Sequence, residues 1–250
     1  MRGPTESRDL HGADIPATFY ATLNSGFIRQ EIAYAAVREL IAKHCRSLRK
    51  ALDYGCGTGR STCKLKESGF ENVVGVDVKQ GMLDEAKALD MPGISYRLIQ
   101  SGDLQFNDEE FDLAFSGIVF PEIPDKDEIP KILQALKRVT VNQGIIMILT
   151  CTKAGYVTDS EKFTCLLSDA EKDRLQDGNL VPTAIVGSDT SFNDYYWSDP
   201  FLRNAFAYAG LTVIETRLPV ATPEQRKASP YLTDEACYVI YVCKKMALGE

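Results

Sequence analysis

The segment Ala51-Leu-Asp-Tyr-Gly-Cys-Gly-Thr-Gly59 sets glycines at positions 55, 57 and 59 directly after a short apolar run. Glycines so spaced let the backbone turn sharply from a strand into a helix and let a ligand approach the main chain. Dinucleotide-binding proteins use a similar turn, so the glycines alone do not choose a ligand. Two carboxylates narrow the choice. Asp53 sits inside the turn, where it repels a pyrophosphate and favours an ammonium group. Asp77 closes the next apolar run, NVVGVD at 72–77, where a carboxylate can accept from both hydroxyls of a ribose.

Other chemistry is poorly supplied. The chain has two histidines, His11 in a polar N-terminal arm and His44 at a helix end. His44 reads as a solvated terminal residue; His11 reaches a site only if the arm folds over it as a lid. Seven cysteines are scattered without a CxxC pair or a Cys/His cluster. They read as small apolar residues in a reducing compartment, with no metal site expected. Lys and Arg total 28 against 35 Asp and Glu, a formal net charge of −7. That balance argues against nucleic acid as the substrate. The N-terminus lacks the apolar core of a signal peptide and no apolar run is long enough to span a bilayer, so a cytoplasmic protein without membrane contact is expected.

The elements that must hold the turn are readable from periodicity. Ala33, Ala36, Val37, Leu40 and Ile41 share a helical stripe over 28–44. Short apolar strands at 50–54, 72–77, 95–99, 111–115 and 144–150 alternate with helices, one carrying Met82, Ala86 and Leu89. Another carries Ile129, Ile132, Leu133, Leu136 and Val139. This alternation predicts a parallel sheet covered on both faces, with ligands bound beyond the carboxyl ends of its strands. The pattern breaks at 151–198, where the capping-box sequences Thr158-Asp-Ser-Glu161 and Ser168-Asp-Ala-Glu171 predict one or two short helices, with an extended piece near 181–186. Asp199-Pro200 reads as the cap and first turn of a helix stopped by Gly210, before two last strands at 211–219 and 236–244. The expected divisions are an arm or lid at 1–27, an α/β core at 28–150, a cap at 151–198, and at 199–250 the last helix and strands of the core.

The turn resembles motif I of the class I S-adenosylmethionine-dependent methyltransferases, a [VIL]-D-x-G-x-G-x-G sequence. In motif order the resemblance covers residues 28–150, with a looser match to the family's last helix and two strands. It implies a single doubly wound, mostly parallel seven-stranded sheet with its last strand antiparallel, and S-adenosyl-L-methionine as cofactor. By the same resemblance Gly55, Cys56 and Gly57 line the methionine and ribose portion, Asp53 lies near the amino group, often through water, and Asp77 binds the ribose. Val78 and Met82 would wall the adenine. In Gln100-Ser-Gly-Asp-Leu104, Asp103 matches the acceptor of the adenine amino group, beside Gly102 and the Leu104 amide, although Asp103 also reads as an ordinary turn carboxylate. Ser116 and Gly117 match the strand end beneath the methionine chain.

The resemblance further implies in-line methyl transfer to an N, O or C nucleophile of a small molecule, catalysed mainly by alignment and desolvation. Where many relatives carry histidines after the fourth strand, this chain reads Phe120-Pro-Glu122. Glu122 and Tyr196 are therefore the side chains expected to orient or deprotonate the acceptor, Glu122 the more effectively if burial makes it more basic. Tyr195, Tyr196 and Trp197 either form an amphipathic wall for a ring-bearing acceptor or pack the cap onto the core. Two other readings stay open. A nicotinamide-dependent oxidoreductase would want glycine where Arg60 stands, and a cofactor-binding protein without catalysis would carry the same motifs.

Overall fold

The computed structural model describes residues 10–11, 17 and 27–246; the rest of the N-terminal arm, and with it the lid, lies outside the described residues. The elements are β1 (Leu10–His11), α1 (Ile28–His44), β2 (Lys50–Tyr54), α2 (Arg60–Glu67), β3 (Asn72–Asp77), α3 (Gln80–Lys87) and β4 (Ile94–Leu98). Then come β5 (Phe111–Gly117), α4 (Glu128–Val139), β6 (Thr140–Cys151), α5 (Lys153–Val157), β7 (Phe163–Cys165), α6 (Asp169–Asp173), β8 (Leu180–Ile185) and β9 (Ser191–Tyr195). The chain closes with α7 (Asp199–Tyr208), β10 (Leu211–Arg217), α8 (Pro223–Ala228) and β11 (Tyr238–Lys245).

Seven strands form the central sheet in the order β10-β11-β6-β5-β2-β3-β4. All neighbours within it are parallel except β11, which runs antiparallel to both β6 and β10. From β2 the chain winds outward first through β3 and β4 and then through β5 and β6, so a crevice opens between the ends of β2 and β5. Helices cover both faces because their apolar stripes have nowhere else to go. The five stripe residues of α4, Ile129 to Val139, are all buried, each worth roughly 1.5–3 kcal/mol of transfer free energy. On the opposite face α1 buries the stripe from Ala33 to Ile41.

The cap holds more strand than its sequence suggests. Two short helices are present, but β7, β8 and β9 pair antiparallel into a sheet, and β1 adds a parallel edge through Leu10↔Phe192 and His11↔Asn193. The Ser168–Glu171 capping box forms and starts α6. The sequence at 158–161 starts no helix. Glu161 accepts instead from the backbone N–H of Ile28, and the Ser160 hydroxyl accepts from the Phe163 N–H at 2.9 Å, leading the chain into β7. Ser198 rather than Asp199 caps α7, accepting from the Phe201 N–H, while Asp199 accepts from Arg203 and from the Tyr241 hydroxyl.

Arg29 fastens the cap to α1. Its guanidinium is buried and donates to the carbonyls of Thr158, Asp159 and Tyr231. Among the described residues no helix is long and apolar enough to cross a membrane.

Candidate functional site

The glycine turn is held open by its neighbours. The N–H groups of Gly55 and Cys56 both donate to the Val76 carbonyl, and Gly59 closes onto Cys56. Gly55 and Gly57 have φ of +71° and +51°, which an L side chain rarely adopts. A Cβ at Gly55 would overlap Val119, whereas the space over Gly57 is open. The backbone at Gly57 is thus bare toward a cleft of about 410 Å³, a size suited to a small ligand.

Asp77 stands at the cleft's edge. Its Oδ2 accepts from the Gly57 N–H and its Oδ1 from the Lys79 N–H, both at 2.9 Å. Val78 and Met82 line the cleft beside it, and so does Ile99 from beyond β4. The glycine turn, Cys56, Asp77, Val78, Met82, Gly117 and Glu122 all border the same space.

Other expected residues lie elsewhere. Asp53 is fully buried behind the cleft wall, because the first turn of α2 folds the hydroxyls of Ser61 and Thr62 onto its Oδ2 at 2.7 and 2.6 Å. Its Oδ1 has no hydrogen-bond partner among the described residues. Burial pushes its carboxyl up to about 6 despite those two hydroxyls, and Asp77 adds to the rise. Ser61 and Tyr34 stand between Asp53 and the cleft.

Asp103 is exposed and does not border the cleft. Its N–H closes a tight turn onto the Gln100 carbonyl, and Ser101 is the residue of this loop that enters the cleft. Gly102 donates to the Tyr54 hydroxyl at 3.0 Å, and Leu104 is buried in the core. Ser116 is buried at the end of β5, and among the described residues its hydroxyl has no hydrogen-bond partner.

The aromatic trio splits three ways. Tyr195 borders the cleft, Tyr196 packs edge-on to Tyr156 within the cap at 5.4 Å, and Trp197 enters the main core. There the Trp197 indole donates to the Ile123 carbonyl and stacks on Phe201. Tyr196 therefore does not reach the cleft as expected, because strand β9 ends at Tyr195 and the chain turns inward after it. Glu122 does border the cleft, where it is exposed and paired with Lys79 at 3.3 Å. His44 is bonded to Glu215 at 2.6 Å on the far side of α1, and the His11 side chain lies outside the described residues.

Several bordering residues carry little signal in the sequence. Tyr54 occupies the variable position of the glycine motif, yet its hydroxyl meets Ser101 and Gly102 and so fixes the 100–104 loop. Arg60 also borders the cleft, bonded to Gln30 and Glu31 and lying over the Tyr34 ring. Asn193 and Tyr195 come from the cap, and only the alternation of β9 could have singled them out. Ile118 has φ +59°, an outlier for a β-branched residue, immediately after the β5 end. Among the described residues no cluster of three or more His, Cys, Asp or Glu side chains is arranged to hold a metal.

A bare glycine backbone, a fixed acceptor at Asp77, an apolar slot and a buried unmatched carboxylate oxygen fit a ligand bearing a ribose, a flat base and an ammonium group. Known proteins agree with that fit. Residues 52–148 match the family model described as a methyltransferase domain. The chain is 28% identical over 180 residues to the N-demethylindolmycin N-methyltransferase of Streptomyces griseus, spanning 69% of this chain and 74% of that one. It is 36% identical over 94 residues to a trans-aconitate 2-methyltransferase of Rhizobium etli, a match to 37% of this chain and 36% of that protein. Among solved structures, an S-adenosylmethionine-dependent methyltransferase from Clostridium acetobutylicum superposes with a TM-score of 0.63 at 16% identity, over 92% of this chain and 99% of that one.

Proposed function

Because the chain belongs to the class I S-adenosylmethionine-dependent methyltransferases, we propose that it methylates a small molecule held between the core sheet and the cap. S-adenosylmethionine, its cofactor, supplies a methyl group made electrophilic by the attached sulfonium. The observation that carries the small-molecule reading is the cleft itself, about 410 Å³ and bordered on one side by the glycine turn and on the other by Asn193 and Tyr195 of the cap. A large polymer would need an open approach, whereas here β9 stands over the space. The net charge of −7 supports an acceptor other than nucleic acid, and the Streptomyces griseus relative is named for a small-molecule acceptor. Seven unpaired cysteines support work in a reducing, cytoplasmic compartment.

In this reading Asp77 accepts from the ribose hydroxyls, and Val78, Met82 and Ile99 enclose the base. Ser101 replaces Asp103 as the polar group of its loop that reaches the cofactor. Asp53 acts on the ammonium end through Ser61 and its own field rather than by direct contact. Gly117 and Ile118 support the methionine chain at the end of β5. The protein contributes alignment and exclusion of water, and Glu122 at the rim serves to orient the acceptor.

Calorimetry tests the cofactor reading: S-adenosylmethionine and its demethylated product should bind, and NAD should not. Incubation with methyl-labelled cofactor and a fractionated metabolite extract should place the label on a small molecule, identified by mass spectrometry. Tight NAD binding, or label confined to macromolecules, would overturn the reading.

A further inference from the structure

Behind the cleft, between the cap sheet and the core, lies a second pocket of about 100 Å³. Gln30, Ile118 and Glu122 border both spaces, so the two adjoin. Strand β9 contributes side chains to both. Successive side chains of a strand point to opposite faces: Asn193 and Tyr195 enter the cleft, while Phe192 and Asp194 enter the pocket. Five aromatic side chains line the pocket together with polar ones that include Thr158, Ser160 and Thr183. Phe27, Phe163 and Phe192 form a chain of edge-to-face contacts, with centroids 5.6 Å apart at each step.

Asp194 faces this space with no hydrogen-bond or ion-pair partner among the described residues. Protein surrounds it on all sides, yet it keeps some solvent contact, as expected of a group facing an internal cavity. A buried carboxyl without a hydrogen-bond partner, with the Glu122 carboxylate on the border of the same pocket, is costly to stability unless a ligand completes it. Among the described residues, the one cation bordering the pocket does not do so. Arg29 directs its terminal nitrogens at three backbone carbonyls, and its buried Nε has no hydrogen-bond partner among the described residues. The pocket therefore offers an acceptor of hydrogen bonds and rings to pack against, and among the described residues its cation, Arg29, has its terminal nitrogens engaged by backbone carbonyls.

We propose that this pocket receives the methyl acceptor, an aromatic or heteroaromatic amine, and that Asp194 takes the proton that leaves its nitrogen. This rests on the methyltransferase reading and adds to it the acceptor's class and its base. The nitrogen lone pair forms the new N–C bond as the C–S bond of the cofactor breaks, with that electron pair returning to sulfur. The N–H proton passes to the Asp194 carboxylate. Charge balances: carboxylate, neutral amine and sulfonium become carboxylic acid, neutral methylated amine and thioether. Burial raises the Asp194 carboxyl well above the ordinary carboxylate range, the Glu122 charge adding, so Asp194 holds a proton more firmly than an exposed aspartate. The positive charge housed in the adjoining cleft works in the opposite direction and favours the ionised base.

The test uses the full chain, methyl-labelled S-adenosylmethionine and the fractionated metabolite extract, with Asp194→Asn and Asp194→Glu beside the wild type. The label should appear on the nitrogen of a ring-bearing amine. With that amine purified, Asp194→Asn should lose about 100-fold or more in kcat, the range of a deleted general base, while KM moves less than about fivefold. Its cofactor affinity should stay within about twofold, and its Tm should equal or exceed the wild type, since a buried carboxyl without a hydrogen-bond partner is removed. Asp194→Glu should regain part of the turnover. Label on oxygen or carbon, label in no amine-bearing fraction while cofactor binds, or Asp194→Asn within about tenfold of wild type would each overturn the proposal. Should Asp194→Asn not fold, Asp194→Ser is read in the same way. Failure to bind S-adenosylmethionine at all would instead sink the methyltransferase reading.

Discussion

Gly57 donates its backbone N–H to Oδ2 of Asp77, so the first turn of the sheet is tied to the end of the neighbouring strand. The bond orients the carboxylate and leaves its remaining lone pairs for a ligand. Asp77→Ala removes both that acceptor and the anchor of the turn. S-adenosylmethionine binding should weaken by about 1.5–3 kcal/mol, the scale of hydrogen bonds to a charged group. Calorimetry on a variant shown to be folded checks this, and unchanged affinity would remove Asp77 from the site.

Asp53 makes stability and binding depend on pH. Its carboxyl titrates at about 6 in the folded chain against an ordinary 3.8. The folded state therefore holds a proton that the unfolded state releases between those values, and stability falls as pH rises through that window. The contribution is complete below the lower value and lost above the upper. Asp53→Asn should gain on the wild type by about 1–3 kcal/mol between pH 4 and pH 7, measured by urea unfolding. An ammonium-bearing ligand favours ionised Asp53, so S-adenosylmethionine binding near pH 6 should release protons, seen by calorimetry in buffers of different ionisation enthalpy. A constant stability difference, or no proton release, would contradict the burial.

Tyr195, Tyr196 and Trp197 should separate in their effects. Tyr195→Ala opens the cleft and should raise the acceptor KM while costing about 1 kcal/mol or less of stability. Tyr196→Ala and Trp197→Ala empty packed sites, so each should destabilise by about 3–5 kcal/mol. Denaturant unfolding beside steady-state kinetics distinguishes the cases. Equal stability losses for all three would place Tyr195 in the core as well.

Glu122 is half open to solvent and paired with Lys79. Glu122→Gln keeps its shape and removes its charge. Turnover should fall by less than the roughly 100-fold that marks a general base, with cofactor affinity nearly unchanged. A larger fall would make Glu122 the proton acceptor.

Much of the core was legible because its signals are local. The turn after β2 needs positive φ at successive glycines, and the stripe from Ile129 to Val139 has one helical solution. The cap was less legible because its signals are settled by distant partners. Thr158-Asp-Ser-Glu161 has the form of a helix start, but Ile28 takes Glu161 and the chain continues as a strand. Within the site, motif position pointed to Asp103, while the Gln100–Asp103 turn and the Tyr54 hydroxyl bring Ser101 inward instead. Asp194 sits in the sequence Ser-Phe-Asn-Asp-Tyr, which reads as a polar loop until the pairing of β9 with β8 assigns its faces.

The alternation of β9 also constrains how such a protein can diverge. Asn193 and Asp194 are adjacent in sequence yet serve different cavities. Inserting or deleting a single residue in the hairpin before Ser191 would exchange the two sets of side chains, sending the acidic group toward the cofactor and the amide into the aromatic pocket. Length variation there is closed as a route to new acceptors, and point substitution at Phe192 or Asp194 is left open. Lineages that share this cap should therefore keep the 186–195 segment at constant length while the residues facing the pocket vary.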